Sequence, residues 1–393
     1  RISMNDLSID IGYKSINHFG EPLCGDTVAV AQQANGDKIV VLADGLRSGV
    51  KASILSTLTS KIISTMMAEG MPLEECVHTI AATLPISSEY DVAYSTFTIM
   101  HIKDNEELEL IQYENPRVIL IRDFAATDYE MVEHVIDGKK IYRSEIKLQE
   151  DDMFIAMSDG CPGANSELSY NKEWTEADIA SFMETIAPVG YPAKTLATIL
   201  VEECNKLYKG KPIDDATACI LRVIKRVQVN LLFGPPANRE DCDRMMSLFF
   251  SKAGKHIICG GTTASIAADY LGKPIKTNRV NPNLGGPPMS EIEGVELVTE
   301  GIVTIDHVVK NARDYLANDE GFAEWSVSHD AASLVSRTLF EEATDINFFV
   351  GRAVNPAHQE ADMPLNFSVK MNMIEELSAS LEKMGKRVKV SYF

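Results

Sequence analysis

The first half of the chain carries short apolar runs of strand length separated by turn residues, at positions 7–13, 27–31 and 38–43, with Asn35-Gly36-Asp37 as a hairpin signal between the last two. The period then changes. Val50, Ile54, Leu58, Ile62 and Met66 recur every fourth position with Ala52, Leu55, Ile63 and Met67 beside them, which predicts an amphipathic helix over 49–69. Gly70 and Pro72 end it, and a second helix follows over 73–84. Strand patterns return at 93–102, 108–113, 118–122, 146–148 and 153–157, then helices at 175–186 and 193–207, then a strand at 216–223. Paired helices within a strand-rich stretch predict an antiparallel α+β sandwich, not alternating βαβ units.

After Lys225-Arg226 the pattern differs. Apolar runs at 229–233, 256–259 and 347–350 each end in glycine, at Gly234, Gly260-Gly261 and Gly351, and helical patterns follow at 239–251 and 263–271. Further helices read at 303–316, 329–342 and 370–386, before a strand at 388–392. Strand, glycine, helix predicts an α/β domain with a parallel sheet. The boundary is placed near residue 226, giving domains over 4–226 and 227–393, which suits 393 residues at roughly 150 per domain.

Composition narrows the function. Asp plus Glu number 57 against 37 Lys plus Arg, a net charge of −20, which speaks against nucleic-acid binding because that draws on cations neutralising phosphates. The seven cysteines contain no C-x-x-C pair, so neither a disulfide framework nor a cysteine zinc site is indicated. The first ten residues lack the apolar core of an export signal, and no run approaches 18 apolar residues, so a cytoplasmic protein without membrane attachment is expected.

Four aspartates stand at or near ends of apolar strands: Asp26 in CGDT, Asp44 in VVLADGLRSG, Asp159 in FIAMSDG and Asp214 in IDDAT. One Asp-Gly is ordinarily a turn. Two apolar strands ending in Asp-Gly, with an aspartate pair before a third strand, bring several hard oxygen donors toward one end of a sandwich. Like charges so clustered repel, and a divalent cation relieves them; oxygen-only ligation suits Mg²⁺ or Mn²⁺ over zinc.

With these motifs in order, over about residues 8–225, the sequence resembles the metal-dependent (PPM) serine/threonine protein phosphatases, in the bacterial branch typified by stage II sporulation protein E. The carriers are Gly25-Asp26, DGLRSG at 44–49 followed by a helix, YST at 94–96, SDG at 158–160 and DDAT at 214–217. The resemblance implies a two-sheet sandwich flanked by helices with a two-metal site at the sheet edge. Asp44 would bridge two Mn²⁺ or Mg²⁺ ions, the Gly45 carbonyl would ligate one, Asp159 and Asp214 would complete the other, and Asp26 would contact metal-bound water. Asp215 varies within the class. The reaction implied is hydrolysis of phosphoserine or phosphothreonine in a bacterial regulatory phosphoprotein, such as an anti-sigma-factor antagonist, by metal-activated water. The alternative is a phosphatase-like scaffold or sensor that binds a phosphoprotein or small anion without turnover.

This chain departs from that branch at Leu46-Arg47-Ser48-Gly49, where a Met-Gly-His-Gly-like stretch is common. Arg47 is a candidate bidentate phosphate binder, pairing with a surface carboxylate being the plainer use of it. Ser48 is placed to cap the following helix. Cys161 after SDG lacks a C-x5-R loop and reads as structural. In the second domain no family resemblance is read. Gly260, Gly261, Thr262 and Thr263 open a helix after a strand and are a candidate phosphate or carboxylate site, a tight turn with a threonine cap being the plainer account of them. A regulatory or recruiting domain is expected there, and self-association is left open.

Overall fold

The computed structural model describes residues 5–83, 95–164, 174–277, 289–317, 325, 327–353 and 367–393. The chain forms two compact units, Arg1–Lys225 and Arg226–Phe393.

In the first unit, strands β1 (Leu7–Ile16), β11 (Ala216–Lys225), β10 (Met153–Met157), β6 (Ile119–Arg122) and β7 (Ala125–Thr127) form a five-stranded antiparallel sheet in that order. A six-stranded antiparallel sheet runs β2 (Asp26–Gln32), β3 (Lys38–Asp44), β4 (Thr96–Lys103), β5 (Glu107–Tyr113), β9 (Lys139–Lys147) and β8 (Val132–Ile136). The apolar run of β3 has two destinations because successive side chains point to opposite faces. Val40 and Leu42 join Leu110, Phe154 and Leu221 between the sheets, while Ile39 and Val41 pack with Ile63, Met67, Val77 and Ile80 of helices α1 (Val50–Ala68) and α2 (Leu73–Thr83). On the outer face of the other sheet, Ile155, Met157 and Ile220 pack on helices α3 (Glu176–Ile186) and α4 (Ala193–Leu207). The result is the expected α+β sandwich, with helices covering both sheets.

Two devices fix α4. Pro192 precedes it with no side-chain cap of its own, and the Asp10 carboxylate of β1 accepts from Ala193 N at 2.8 Å instead. Gly12 lets the helix start lie directly on β1, since a Cβ there would sit 2.0 Å from Lys194 N.

Helix α1 forms where predicted, with Ala52, Ile63 and Met67 of its apolar set buried, but hydroxyl residues make up much of the buried face. Ser56, Thr59, Ser60, Ile63 and Ser64 are buried, whereas Val50, Ile54 and Leu58 are 51%, 55% and 43% exposed. Small hydroxyl residues allow close approach to the sheet and need few new partners: Ser56 and Ser60 donate to carbonyls one turn back, and Ser56 meets the Thr27 hydroxyl at 2.7 Å. The predicted strand at 146–148 is the end of the much longer β9, whose hairpin with β8 carries no clean apolar alternation.

The second unit is one seven-stranded sheet in the order β14 (Lys276–Thr277), β15 (Ser290–Glu291), β16 (Leu297–Thr299), β13 (Lys255–Cys259), β12 (Gln228–Phe233), β17 (Asp345–Val350), β18 (Arg387–Tyr392). Five strands from β16 to β18 are parallel, and the short β14 and β15 make an antiparallel edge. Helices α5 (Cys242–Phe250) and α6 (Gly261–Leu271) cover one face through Met246, Phe249 and Ala267. Helices α7 (Ile302–Ala317), α8 (Ala331–Arg337) and α9 (Phe367–Lys383) cover the other through Val308, Val335 and Leu377.

Candidate active site at the end of the sandwich

Asp26 opens β2 and Asp44 closes β3, and the antiparallel register sets them opposite each other. In the other sheet, Ser158 and Asp159 follow β10 directly, while Asp214 and Asp215 precede β11, its neighbour. Hydrogen bonds between the sheets bring the two sets together. The Ser158 and Thr217 hydroxyls each donate to Asp26 Oδ2 at 2.7 Å, and Ser158 Oγ accepts from Thr217 N at 2.9 Å. Asp215 acts as a clamp, its two oxygens accepting from His18 N at 2.9 Å and Gly25 N at 3.0 Å. Ser158 and Thr217 lie inside the quoted motifs, yet spacing alone assigned them nothing; their partner is 132 and 191 residues distant.

Asp44 Oδ1 accepts from Leu46 N at 3.0 Å and closes the turn. Leu46 and Arg47 both take left-handed backbone, φ 57° and 69°, a conformation costing about 1–2 kcal/mol for each residue with a Cβ. Arg47 is exposed. Ser48 does not cap α1: Gly49 is the N-cap, at φ 83°, with no side-chain bond. The chain must turn sharply here, and glycine adopts that φ without strain. Gly45 is buried against α1, where a Cβ would lie 2.0 Å from the Ala52 carbonyl oxygen. Of the YST motif, Tyr94 lies outside the described residues, and Thr96 pairs in register with Asp44.

The electrostatics are those of carboxylates held together in a dry place. Burial, then repulsion from Asp26 and Asp159, pushes Asp44 up to about 9 from 3.8. Burial also raises Asp26, to about 7, against the pull of the Ser158 and Thr217 hydroxyls. Asp214 rises to about 6 through burial and the charge of Asp159. Asp159 itself is exposed. Cys161 is buried, its Sγ 3.4 Å from the Thr217 carbonyl oxygen, and Cys204 together with burial holds its thiol well above the usual value.

Among the described residues no three Asp, Glu, His or Cys side chains stand close enough to hold a metal ion between them. The chemistry of the donors nonetheless fits hard divalent cations, since they are all oxygen, buried in part, and raised by one another's charge. Gly260 to Thr263 belong to the second unit, at the end of β13 and the first turn of α6.

The first unit is therefore a two-sheet sandwich with helices outside both sheets and aspartates from both sheets at one end, the fold expected of a PPM-type phosphatase domain. Residues 34–224 match the family model of stage II sporulation protein E (SpoIIE). The chain is similar to the phosphatase domain of the cell fate determinant SpoIIE from Bacillus subtilis, at 18% identity and TM-score 0.43, covering 56% of this chain and 94% of that one. It is also similar to the RsbU and RsbW domains of Rv1364c from Mycobacterium tuberculosis, at 14% identity and TM-score 0.47, covering 62% and 70%. A third is the catalytic domain of the serine threonine protein phosphatase PstP in complex with two manganese ions, at 16% identity and TM-score 0.38, covering 56% and 100%. No curated protein sequence matches the chain. Among the described residues no helix is long and apolar enough to cross a membrane.

Proposed function

We propose that the first unit is a metal-dependent phosphatase that hydrolyses phosphoserine or phosphothreonine in a bacterial regulatory phosphoprotein, of the anti-sigma-factor-antagonist kind, and that the second unit regulates it or recruits the substrate. The observation that carries this reading is the burial of Asp26 and Asp44 side by side, with Asp159 and Asp214 close enough to raise Asp44 further. A fold tolerates such a cluster when cations compensate it.

Asp44, the Gly45 carbonyl, Asp159 and Asp214 would hold two Mn²⁺ or Mg²⁺ ions. When bound, such ions polarise the phosphoryl group and lower the pKa of the attacking water. Asp26 would contact that water, and Ser158 and Thr217 fix the Asp26 carboxylate in position. Asp215 holds the Gly25-Asp26 turn. Arg47, on its exposed strained loop, receives the substrate phosphate through its guanidinium fork. No covalent phosphoenzyme is needed, and Cys161 is too buried to form one.

With Mn²⁺ the purified protein should hydrolyse a phosphoserine peptide, and Asp44→Asn or Asp159→Asn should abolish this while the circular dichroism spectrum is kept. Full activity in excess EDTA overturns the proposal. Fewer than two metal sites by calorimetry, with no turnover of a phosphoprotein, would point to the non-catalytic scaffold.

A further inference from the structure

In the second unit the parallel strands stand in the order β16-β13-β12-β17-β18. From β12 the chain steps outward to β13 and β16, then returns to the other side of β12 for β17 and β18. In open sheets of this kind ligands bind beyond the carboxyl ends of the strands, where the direction of winding reverses. At that place the structure has a crevice of about 80 Å³ between Gly234 after β12, Gly260 after β13 and Glu300 after β16.

Three polar groups face it, two of them without any partner. Thr263, in the first turn of α6, is 1% exposed and its Oγ1 has no partner. Glu300 Oε2 is likewise buried without a partner. Lys370 of α9 is 9% exposed, donates to the Ala353 carbonyl at 3.0 Å, and forms no ion pair with a carboxylate among the described residues. Burial pushes its pKa down, which a bound anion would reverse. The N-terminus of the eleven-residue α6 points its free amides at the same place, and no side chain caps it. Buried polar groups without partners are rare, and two around one crevice, beside a buried lysine with no carboxylate opposite it among the described residues, mark a place for something that satisfies them.

We propose that this crevice binds a small molecule carrying an oxyanion, phosphate or carboxylate, with a hydroxyl or amino donor beside it. The oxyanion lies on the α6 amides, the Thr263 hydroxyl and the Lys370 ammonium, and the donor satisfies Glu300. A wider cleft of about 790 Å³ continues from it through Pro235 and Thr262, walled by Arg239 and Tyr270, and takes the body of the ligand. The reading is independent of what the first unit catalyses.

The full chain, isotopically labelled, is titrated with glycerol 3-phosphate and separately with L-serine, each an oxyanion with a donor beside it, against sodium chloride at equal ionic strength. The amide resonances of Gly260, Gly261 and Thr262 should move saturably with one of the two, which also tells phosphate from carboxylate. Lys370→Met should weaken that binding by about tenfold or more, as loss of a charge-assisted contact implies. Gly261→Asp keeps the fold testable, because a Cβ there meets nothing within 4 Å and an acidic residue suits a first helical turn. Its carboxylate should occupy the crevice and abolish binding with a dispersed spectrum retained. No saturable shift with either probe, or undiminished binding in a folded Gly261→Asp protein, overturns the proposal.

Discussion

Asp44→Asn isolates the electrostatics of the aspartate cluster. The side chain keeps its shape and loses its charge. In the protein without metal, Asp44 is raised from 3.8 to about 9, so folding takes up a proton there at any pH between those values. For an acid whose folded pKa is raised, the penalty is absent below the unfolded value and grows as pH rises toward the folded one. Each proton so taken up tilts stability by about 1.4 kcal/mol per pH unit. Asp26 and Asp214 contribute only up to about 7 and about 6, so above neutrality the slope from this cluster belongs to Asp44. Between about pH 7 and pH 9 the metal-free wild type should lose on the order of 2–3 kcal/mol from this source, and Asp44→Asn should not. Urea unfolding in EDTA measures it. Trp174 packs edge-on against Phe182 at 6.0 Å and reports the first unit once Trp325 of the second is replaced by Phe. Mn²⁺ should restore the wild type most at the alkaline end and the variant little. Parallel pH slopes for the two metal-free proteins would refute the reasoning.

Three further perturbations test the fold that positions the cluster. Arg122 grips the fully buried Asp152 through two bonds of 2.7 and 2.8 Å, so Arg122→Ala strands a buried charge and should cost about 3–5 kcal/mol by denaturant titration, with Asp152→Asn in the same chain recovering part. Gly12→Ala forces β1 and α4 apart at the backbone and should lower stability by about 2–3 kcal/mol or more, read as a drop in melting temperature. Glu109 is held down to about 2 from 4.5 by His101, with Lys103 at 2.8 Å and Arg143 adding to it. A lowered carboxylate stabilises above the unfolded value, so this contribution should fade between about pH 4.5 and 2, and Glu109→Gln should unfold with a shallower acid dependence over that window.

Local signals in the sequence settled a good deal: the apolar runs of strands β3, β10 and β11, the helix starts after glycine in the second unit, and the order of the aspartate motifs. Each depends on side-chain period or turn chemistry within a few residues, which a linear reading can see. What the sequence could not supply were relations between distant residues. Register set Asp26 opposite Asp44, and Ser158 and Thr217 came from the other sheet to hold it. Helix α1 shows the same limit from the other side. Its apolar stripe dictated a helix but not its orientation, because small hydroxyl residues that bond their own backbone pack closer to the sheet than Ile54 or Leu58 can. In the second unit the glycines announced strand ends. That Thr263, Glu300 and Lys370 share one crevice was decided by the order in which the strands assemble, since a pairing order is a choice among whole-chain arrangements that no local pattern encodes.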